Sequence, residues 1–373
     1  MEKAKYPSFF VIGLALYSMF FGAGNIIFSL YIGQSVQADW VYGAAGFIVS
    51  AVLIPLLGVI AMLIYRGDYE RFFGTFGKIP AFLVVLTLLT VWIPLGSSPR
   101  NVTLSFASLA AQIPMPPFWA FSLIYCVAAG LIVYRKSRML DVLGYVLTPL
   151  LIACLGLIVF VGFCSTPSFL PGPESKTLFL QSLMTGYNTH DLIASFFFSA
   201  SIIEILRQSS SEKKTLSITF KACLVALVLL ALTYIGLIGV AASHPDALAG
   251  VKREALLMSL AQNVLGTNLS FVAGLAIILA CFTTSVALVT VYTNFLTDKV
   301  FNNPHAYTFS LLLTLVSTFA LSITGLDGIT NLTQPFLEYA YPVLLLLIIL
   351  KLLAHSFQYL AKTNAQPTRD AEI

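Results

Sequence analysis

Phe20-Phe21-Gly22-Ala23-Gly24-Asn25 lies inside the first long apolar segment, residues 8–32, where a simple membrane-spanning helix would run unbroken. Two glycines and an asparagine at that depth predict backbone that departs from helix. Such backbone is tolerated in a bilayer only where its freed amides and carbonyls meet protein, water or a ligand. A helix broken near the membrane midplane points to a path for a transported solute.

The rest of the chain supports a membrane setting. Of 373 residues, 58% are hydrophobic and 10% charged, and the mean hydropathy is +0.91. Soluble domains carry about 25% charged residues, so the composition is that of a polytopic membrane protein. The net charge of +4 is uninformative until the charges are placed by loop. Cys126, Cys154, Cys164, Cys223 and Cys281 form no CxxC pair and lie in or beside apolar segments, as small buried hydrophobes do. The first apolar stretch is too long for a signal-peptide core and lacks a small-residue cleavage site, so it is expected to be retained. No basic run with interleaved aromatics suggests nucleic-acid binding, and no GxxxxGK[ST] motif provides for ATP.

A span needs about 20 mostly apolar residues. Ten candidates follow: 8–32, 40–64, 80–110, 117–134, 141–163, 177–206, 216–242, 268–297, 305–324 and 334–358. The longest carry break signals: Gly22 and Gly24 in the first, Pro94 and Pro99 in the third, Gly186 and Asn188 in the sixth. With both termini cytoplasmic, only Lys176, Lys252 and Arg253 of the 20 Lys and Arg residues fall outside, and Arg100 alone lies within a span. That bias follows the positive-inside rule through every loop. It places Asn25 and the run Gly186-Tyr187-Asn188-Thr189-His190-Asp191 at similar depth, in the first and sixth spans. Two five-helix halves of opposite orientation, residues 1–163 and 164–358, would produce this pattern. No sequence identity between them is evident, so the inverted repeat rests on break placement. The external connection at 243–267 is expected to hold a short helix from Val251 to Leu260, and the polar residues 359–373 a disordered cytoplasmic tail.

Four clusters carry candidate chemistry. Around Ser18 to Asn25, unwinding exposes the amides of Ala23 and Gly24 at a half-helix N-terminus, which suits a carboxylate. Carbonyls before the break suit a cation, and Asn25 offers a neutral oxygen; the bland alternative is close helix packing. From Gly186 to Asp191, ionisable groups at membrane depth are costly and usually functional or paired. His190 is a candidate proton or substrate group, whereas Asp191 fits an N-terminal cap of the resumed helix better than a relay. In Ala280-Cys281-Phe282-Thr283-Thr284-Ser285, hydroxyls beside backbone carbonyls form a hard oxygen set without carboxylates, suited to a monovalent ion rather than Mg²⁺ or Ca²⁺. The competing reading, hydroxyls bonded back to the preceding turn, is stronger on these residues alone. Arg100, in Ser97-Ser98-Pro99-Arg100, is expected to join an ion pair with Asp191 or Glu204, with an anionic substrate group as the alternative. Phe196, Phe197 and Phe198 cannot share one helical face, so at least one faces lipid or core.

Phe20 to Phe28 (FFGAGNIIF), Ile93 to Arg100 (IPLGSSPR), Gly186-Tyr187-Asn188-Thr189 and Thr283-Thr284 resemble the branched-chain amino acid:cation symporter family of BrnQ-type carriers, along essentially the whole chain. The resemblance implies an all-α integral membrane protein of about ten spans, a five-plus-five inverted repeat of the leucine-transporter type with broken helices one and six. It implies import of leucine, isoleucine and valine by cation symport across the bacterial inner membrane, with Na⁺ as co-transported ion or H⁺ in its place. It implies no enzyme activity, no bound cofactor and no obligate protein partner. Carried over, the sodium ligands are the carbonyls of Ser18, Phe21 and Ala280 with the hydroxyls of Thr283 and Thr284. The substrate carboxylate meets the amides of Ala23 and Gly24, and its amine meets carbonyls near Phe20 and the Tyr187-Asn188-Thr189 break. A second sodium site, where present, would use Asn25; gating or proton coupling falls to Arg100, His190 and Asp191. Uncoupled exchange and an ion channel remain the competing functions. The chain departs from the family in lacking about two helices after the tenth, and in reading Phe28-Ser29 where Phe-Pro is common.

Overall fold

The structure, a computed structural model, describes residues 8–110, 112–135, 139–165, 168–169, 175–207 and 211–364, and every long element among them is a helix. The first expected span is two helices, α1 (Phe9–Phe20) and α2 (Ala23–Val36), separated by extended backbone at Phe21 and Gly22. Gln37, with φ of 49°, then turns the chain into α3 (Trp40–Ile48) and α4 (Ile54–Ile64), which are joined by a π-turn. A Cβ on Gly43 would lie 2.8 Å from a Val36 methyl and 3.2 Å from an Ile32 methyl, so the α3 backbone packs directly on α2 side chains.

A short α5 (Tyr69–Phe73) precedes α6 (Lys78–Trp92) and α7 (Ser98–Ala110). The Pro94 and Pro99 signals produce no break here. A π-turn over Ile93–Ser97 carries the helix through, giving one stretch from Lys78 to Ala110. A π-turn widens the backbone ring and absorbs the amide that proline lacks. Then follow α8 (Phe118–Tyr134), α9 (Met139–Asp141) and α10 (Thr148–Cys164), the last two joined through another π-turn. The sixth span is α11 (Ser175–Tyr187) and α12 (Asp191–Arg207), bent by 45° at their junction. It is followed by α13 (Glu212–Ser243), α14 (Pro245–Leu248), α15 (Leu256–Leu265), α16 (Phe271–Phe295), α17 (Tyr307–Ser322) and α18 (Gly325–Asn364).

Seven of these stretches are long and apolar enough to cross a membrane, and the bent α11–α12 pair makes an eighth. The shorter apolar helices α1 and α8 belong to the first and fourth expected spans. Each of the ten expected segments is thus helical. The short helix in the 243–267 connection begins at Leu256 rather than Val251, because Lys252 is still extended and a 3₁₀ turn intervenes. The terminal helix runs to Asn364, past the expected start of a tail at 359, and residues 365–373 lie outside the described residues. Four cysteines are buried as expected, whereas Cys164 is exposed at the end of α10.

Small residues bring the helices together, as they do where lipid removes the hydrophobic drive for association. A Cβ at Gly46 of α3 would collide with the Phe179 carbonyl of α11, and one at Gly58 of α4 would come within 2.5 Å of Ser195 Oγ on α12. Gly13 packs α1 against Val225 of α13. The two interrupted spans therefore sit at the centre, walled by α4, α7, α13 and α16.

Candidate functional site

The first interruption is fixed by its own asparagine. Asn25 Oδ1 accepts the Gly22 amide at 3.2 Å, while its Nδ2 donates to Asp191 Oδ2 at 2.7 Å and to Tyr234 OH at 2.6 Å. Both amide hydrogens and one of the oxygen's two lone pairs are thereby engaged, and the second lone pair of Oδ1 is left over. Tyr234 also donates to Asp191 Oδ2 at 3.5 Å, so α2, α12 and α13 meet at one buried carboxylate. Asp191 is not the cap expected of it: its carboxylate turns to Asn25 and Tyr234. Instead, the His190 carbonyl takes the amides of Ile193 and Ala194, and Thr189 Oγ1 accepts that of Asp191 at 3.4 Å. His190 itself has a left-handed φ of 58°, rare for a residue with a side chain.

A second convergence lies just before the first break. Thr283 and Thr284 of α16 both donate to the Ser18 carbonyl, at 3.0 and 3.2 Å. Thr283 also reaches the carbonyls of Leu279 and Ala280, at 2.8 and 3.3 Å. Ser18 O, Ala280 O and the two hydroxyls are therefore within one cluster, with Gly22 close enough that a Cβ there would lie 3.4 Å from Thr284 Oγ1. Phe21 is buried, with its ring 5.3 Å from that of Tyr17 and 5.8 Å from that of Tyr234. All the oxygens are neutral, and among the described residues no group of three His, Cys, Asp or Glu side chains is placed to hold a metal. Such a set suits a monovalent cation better than a divalent one.

Between the breaks is a cavity of about 70 Å³, bordered by Phe20, Gly22, Gly24, Asn25, Asn188, Thr189, His190, Asp191, Thr284 and Arg100. It adjoins a vestibule of about 310 Å³ on the side of the α14–α15 connection, where Arg253 and Glu254 form part of the rim. Phe28, Ser97, Arg100, Asn188 and His190 border both spaces. Two expected site residues stand apart. Tyr187 turns away, its ring tilted by 53° against that of Tyr341 with 4.2 Å between centroids, and its hydroxyl donates to the Glu338 carbonyl at 2.6 Å. Ala23 is buried and does not border the cavity. Nor does Arg100 make the expected ion pair: among the described residues its guanidinium has neither a salt bridge nor a hydrogen bond.

The opposite side of the cavity is filled by rings. Trp92 lies 5.8 Å from Phe198 and 6.3 Å from Phe197, Tyr69 is 5.8 Å from Phe197, and Phe72 is 4.9 Å from Phe196. All three consecutive phenylalanines are buried, and only Phe198 borders the cavity. Beyond the rings, Arg66 pairs with Glu212 at 2.7 Å and Lys299 with Glu70 at 3.1 Å. Tyr234, Trp92 and the α5 aromatics escaped sequence reasoning. Tyr234 left a faint signal, a phenol in the middle of an apolar helix.

The sequence profile described as branched-chain amino acid transport protein matches residues 5–368. The chain belongs to that family. Members of this family are transporters, not enzymes, and this member is a multi-pass membrane protein. Among similar proteins, the branched-chain amino acid permease BrnQ of Bacillus subtilis (strain 168) is 28% identical over 376 residues, covering 96% of this chain and 83% of that protein. A putative branched-chain amino acid carrier protein of Staphylococcus aureus (strain USA300) is 28% identical over 374 residues, covering 92% and 81%. The fold of this family member is shared with Mhp1, a nucleobase-cation-symport-1 family transporter solved in a closed conformation with bromovinylhydantoin bound. That likeness has a TM-score of 0.60 at 15% identity, over 92% of this chain and 78% of Mhp1. It bears out the leucine-transporter-type architecture.

Proposed function

We propose that this chain imports leucine, isoleucine and valine together with Na⁺, by alternating access, across a bacterial inner membrane with both termini cytoplasmic. The observation that carries the sodium reading is the approach of Thr283 and Thr284 to the Ser18 carbonyl, at 3.0 and 3.2 Å. A sodium ion entering there would be held by those hydroxyls with the carbonyls of Ser18, Phe21 and Ala280. Neutral hard oxygens bind such an ion weakly enough to release it, as a co-transported cargo requires. The ion would join α1 to α16, and the substrate would lie across the neighbouring break, so each stabilises the closed arrangement the other needs.

In this reading the residues bordering the 70 Å³ cavity take the amino acid. The Gly24 amide faces its carboxylate, and the carbonyls around Phe20 and Asn188-Thr189 face its amine. Its branched side chain packs toward Trp92 and Phe198. The vestibule is the outward entrance, while the phenylalanine cluster and the two ion pairs close the cytoplasmic side. Residues 1–163 and 164–358 are the two inverted repeats, with α1–α2 and α11–α12 as their first members. Arg100 and His190, bordering both cavity and vestibule, are placed to gate the entrance.

A proton-coupled reading is favoured by one other observation. Among the described residues His190 Nε2 is buried without a hydrogen-bond partner, next in sequence to the buried Asp191. Leucine uptake into proteoliposomes under separately imposed sodium and pH gradients tests the two readings.

A further inference from the structure

Two charged side chains of opposite sign border the central cavity, Arg100 from α7 and Asp191 from α12. They do not pair with each other: the salt bridges among the described residues are Arg66–Glu212 and Lys299–Glu70. Both come from segments buried in the centre of the helix bundle, where an uncompensated charge is costly and marks a functional site. Asp191 is 3% exposed. Its Oδ2 receives Asn25 Nδ2 at 2.7 Å and Tyr234 OH at 3.5 Å, neutral donors that fix the carboxyl group in place. Among the described residues, the Arg100 guanidinium has no salt bridge or hydrogen bond. The other acid near it, Glu254, stands on the vestibule rim and is exposed.

We infer that Arg100 and Asp191 form a clamp for the zwitterion, Arg100 receiving the α-carboxylate and Asp191 the α-ammonium of the transported amino acid. This deepens the proposed amino acid site and rests on that reading. A ligand carrying both charges satisfies both side chains at once, whereas one lacking either group leaves a charge buried and unpaired. Sites built around a polar partner reject the analogue without it far more strongly than apolar pockets reject a missing methylene. Guanidinium offers a carboxylate two parallel donors. Of the two break residues Ala23 and Gly24 only Gly24 borders the cavity, and a second donor for the carboxylate is needed there. Arg100 supplies it. Because Asn25 holds both the Gly22 amide and Asp191, the ammonium site is built onto the first break, and substrate reports directly to the backbone beside Ser18.

The clamp is tested by displacing radiolabelled leucine from the full chain in proteoliposomes with leucine, leucinamide and 4-methylpentanoate. Leucinamide lacks the carboxylate and 4-methylpentanoate lacks the amine. In the wild type each analogue is expected to compete at least about tenfold more weakly than leucine, the scale of one lost charge-assisted hydrogen bond. Asp191→Asn should narrow the gap for 4-methylpentanoate and leave that for leucinamide. Arg100→Gln should do the reverse. Asp191→Glu and Arg100→Lys, which keep the charges, should retain both gaps and serve if a neutral variant is lost from the membrane. Failure of the wild type to bind leucine overturns the branched-chain reading. Leucine binding with either analogue equally tight, or with both gaps unmoved in both neutral variants, overturns the clamp alone.

Discussion

Asn25 Nδ2 lies 2.7 Å from Asp191 Oδ2, so the interruption of one helix is fastened to the residue where the other resumes. The same amide accepts the Gly22 N–H, and its second hydrogen goes to Tyr234. Movement at either break is therefore felt at the other through one side chain. In the proposed alternating-access cycle that linkage would keep the two interrupted spans in step.

Removing this side chain should be severe. Asn25→Ala strips Asp191 of its 2.7 Å donor and uncaps Gly22, and hydrogen bonds to charged groups contribute about 1.5–3 kcal/mol each. The expected outcome is a lower melting temperature in detergent and at least about a tenfold loss of leucine uptake. Tyr234→Phe removes only the 3.5 Å contact to Asp191 and Asn25's second acceptor, so a smaller loss is expected in both measurements.

The threonine pair should set the sodium requirement. Thr283→Ala, or Thr284→Ala, removes a hydroxyl from the cluster around Ser18 O while leaving the α16 backbone intact. The sodium concentration for half-maximal uptake should rise by about tenfold, with little loss of protein from the membrane. Thr284→Ser, which keeps the hydroxyl, should behave nearly as wild type. Uptake at varied sodium with quantified membrane protein measures this.

Helix packing predicts a contrast between two glycines. Gly46→Ala drives a methyl into the Phe179 carbonyl, and overpacking of this kind costs about 1–3 kcal/mol. Gly156 of α10 is exposed and has nothing within 4 Å of an added Cβ. Gly156→Ala should leave thermal stability unchanged or slightly raised, because alanine is the better helix former.

The breaks were legible because they are local. Gly22, Gly24 and Asn25, like Gly186 and Asn188, violate helix propensity within a few residues, and the violation is visible without a partner. Proline misled in the third span, since a π-turn at Ile93–Ser97 accommodates Pro94 while the helix continues. The partners of the polar groups were not legible. Nothing near Asp191 in sequence indicates that its carboxylate reaches Asn25 and Tyr234, 166 and 43 residues away, instead of its own helix. For Phe196, Phe197 and Phe198 the local expectation of at least one ring facing lipid or core is met on the core side, but the partners that bury all three, in α5, Trp92 and Phe20, leave no mark near them in sequence.

The ion pairs beyond the aromatic cluster should bias the conformation rather than the fold. Arg66–Glu212 and Lys299–Glu70 are roughly half exposed, and such pairs contribute about 0.2–1 kcal/mol each. Glu70→Gln combined with Glu212→Gln should shift the population toward the inward-open state by up to about tenfold. The check is labelling of a cysteine introduced at Phe198 by a reagent confined to the cytoplasmic side. Labelling should rise in the double variant and by a smaller factor, about the square root of it, in each single one.

The most direct test of the account is leucine uptake by the purified chain in proteoliposomes, with the sodium gradient and ΔpH imposed and collapsed independently. The account predicts concentrative uptake that is lost when the sodium gradient is collapsed and persists when ΔpH is. Uptake that survives loss of the sodium gradient but is abolished with ΔpH would contradict it.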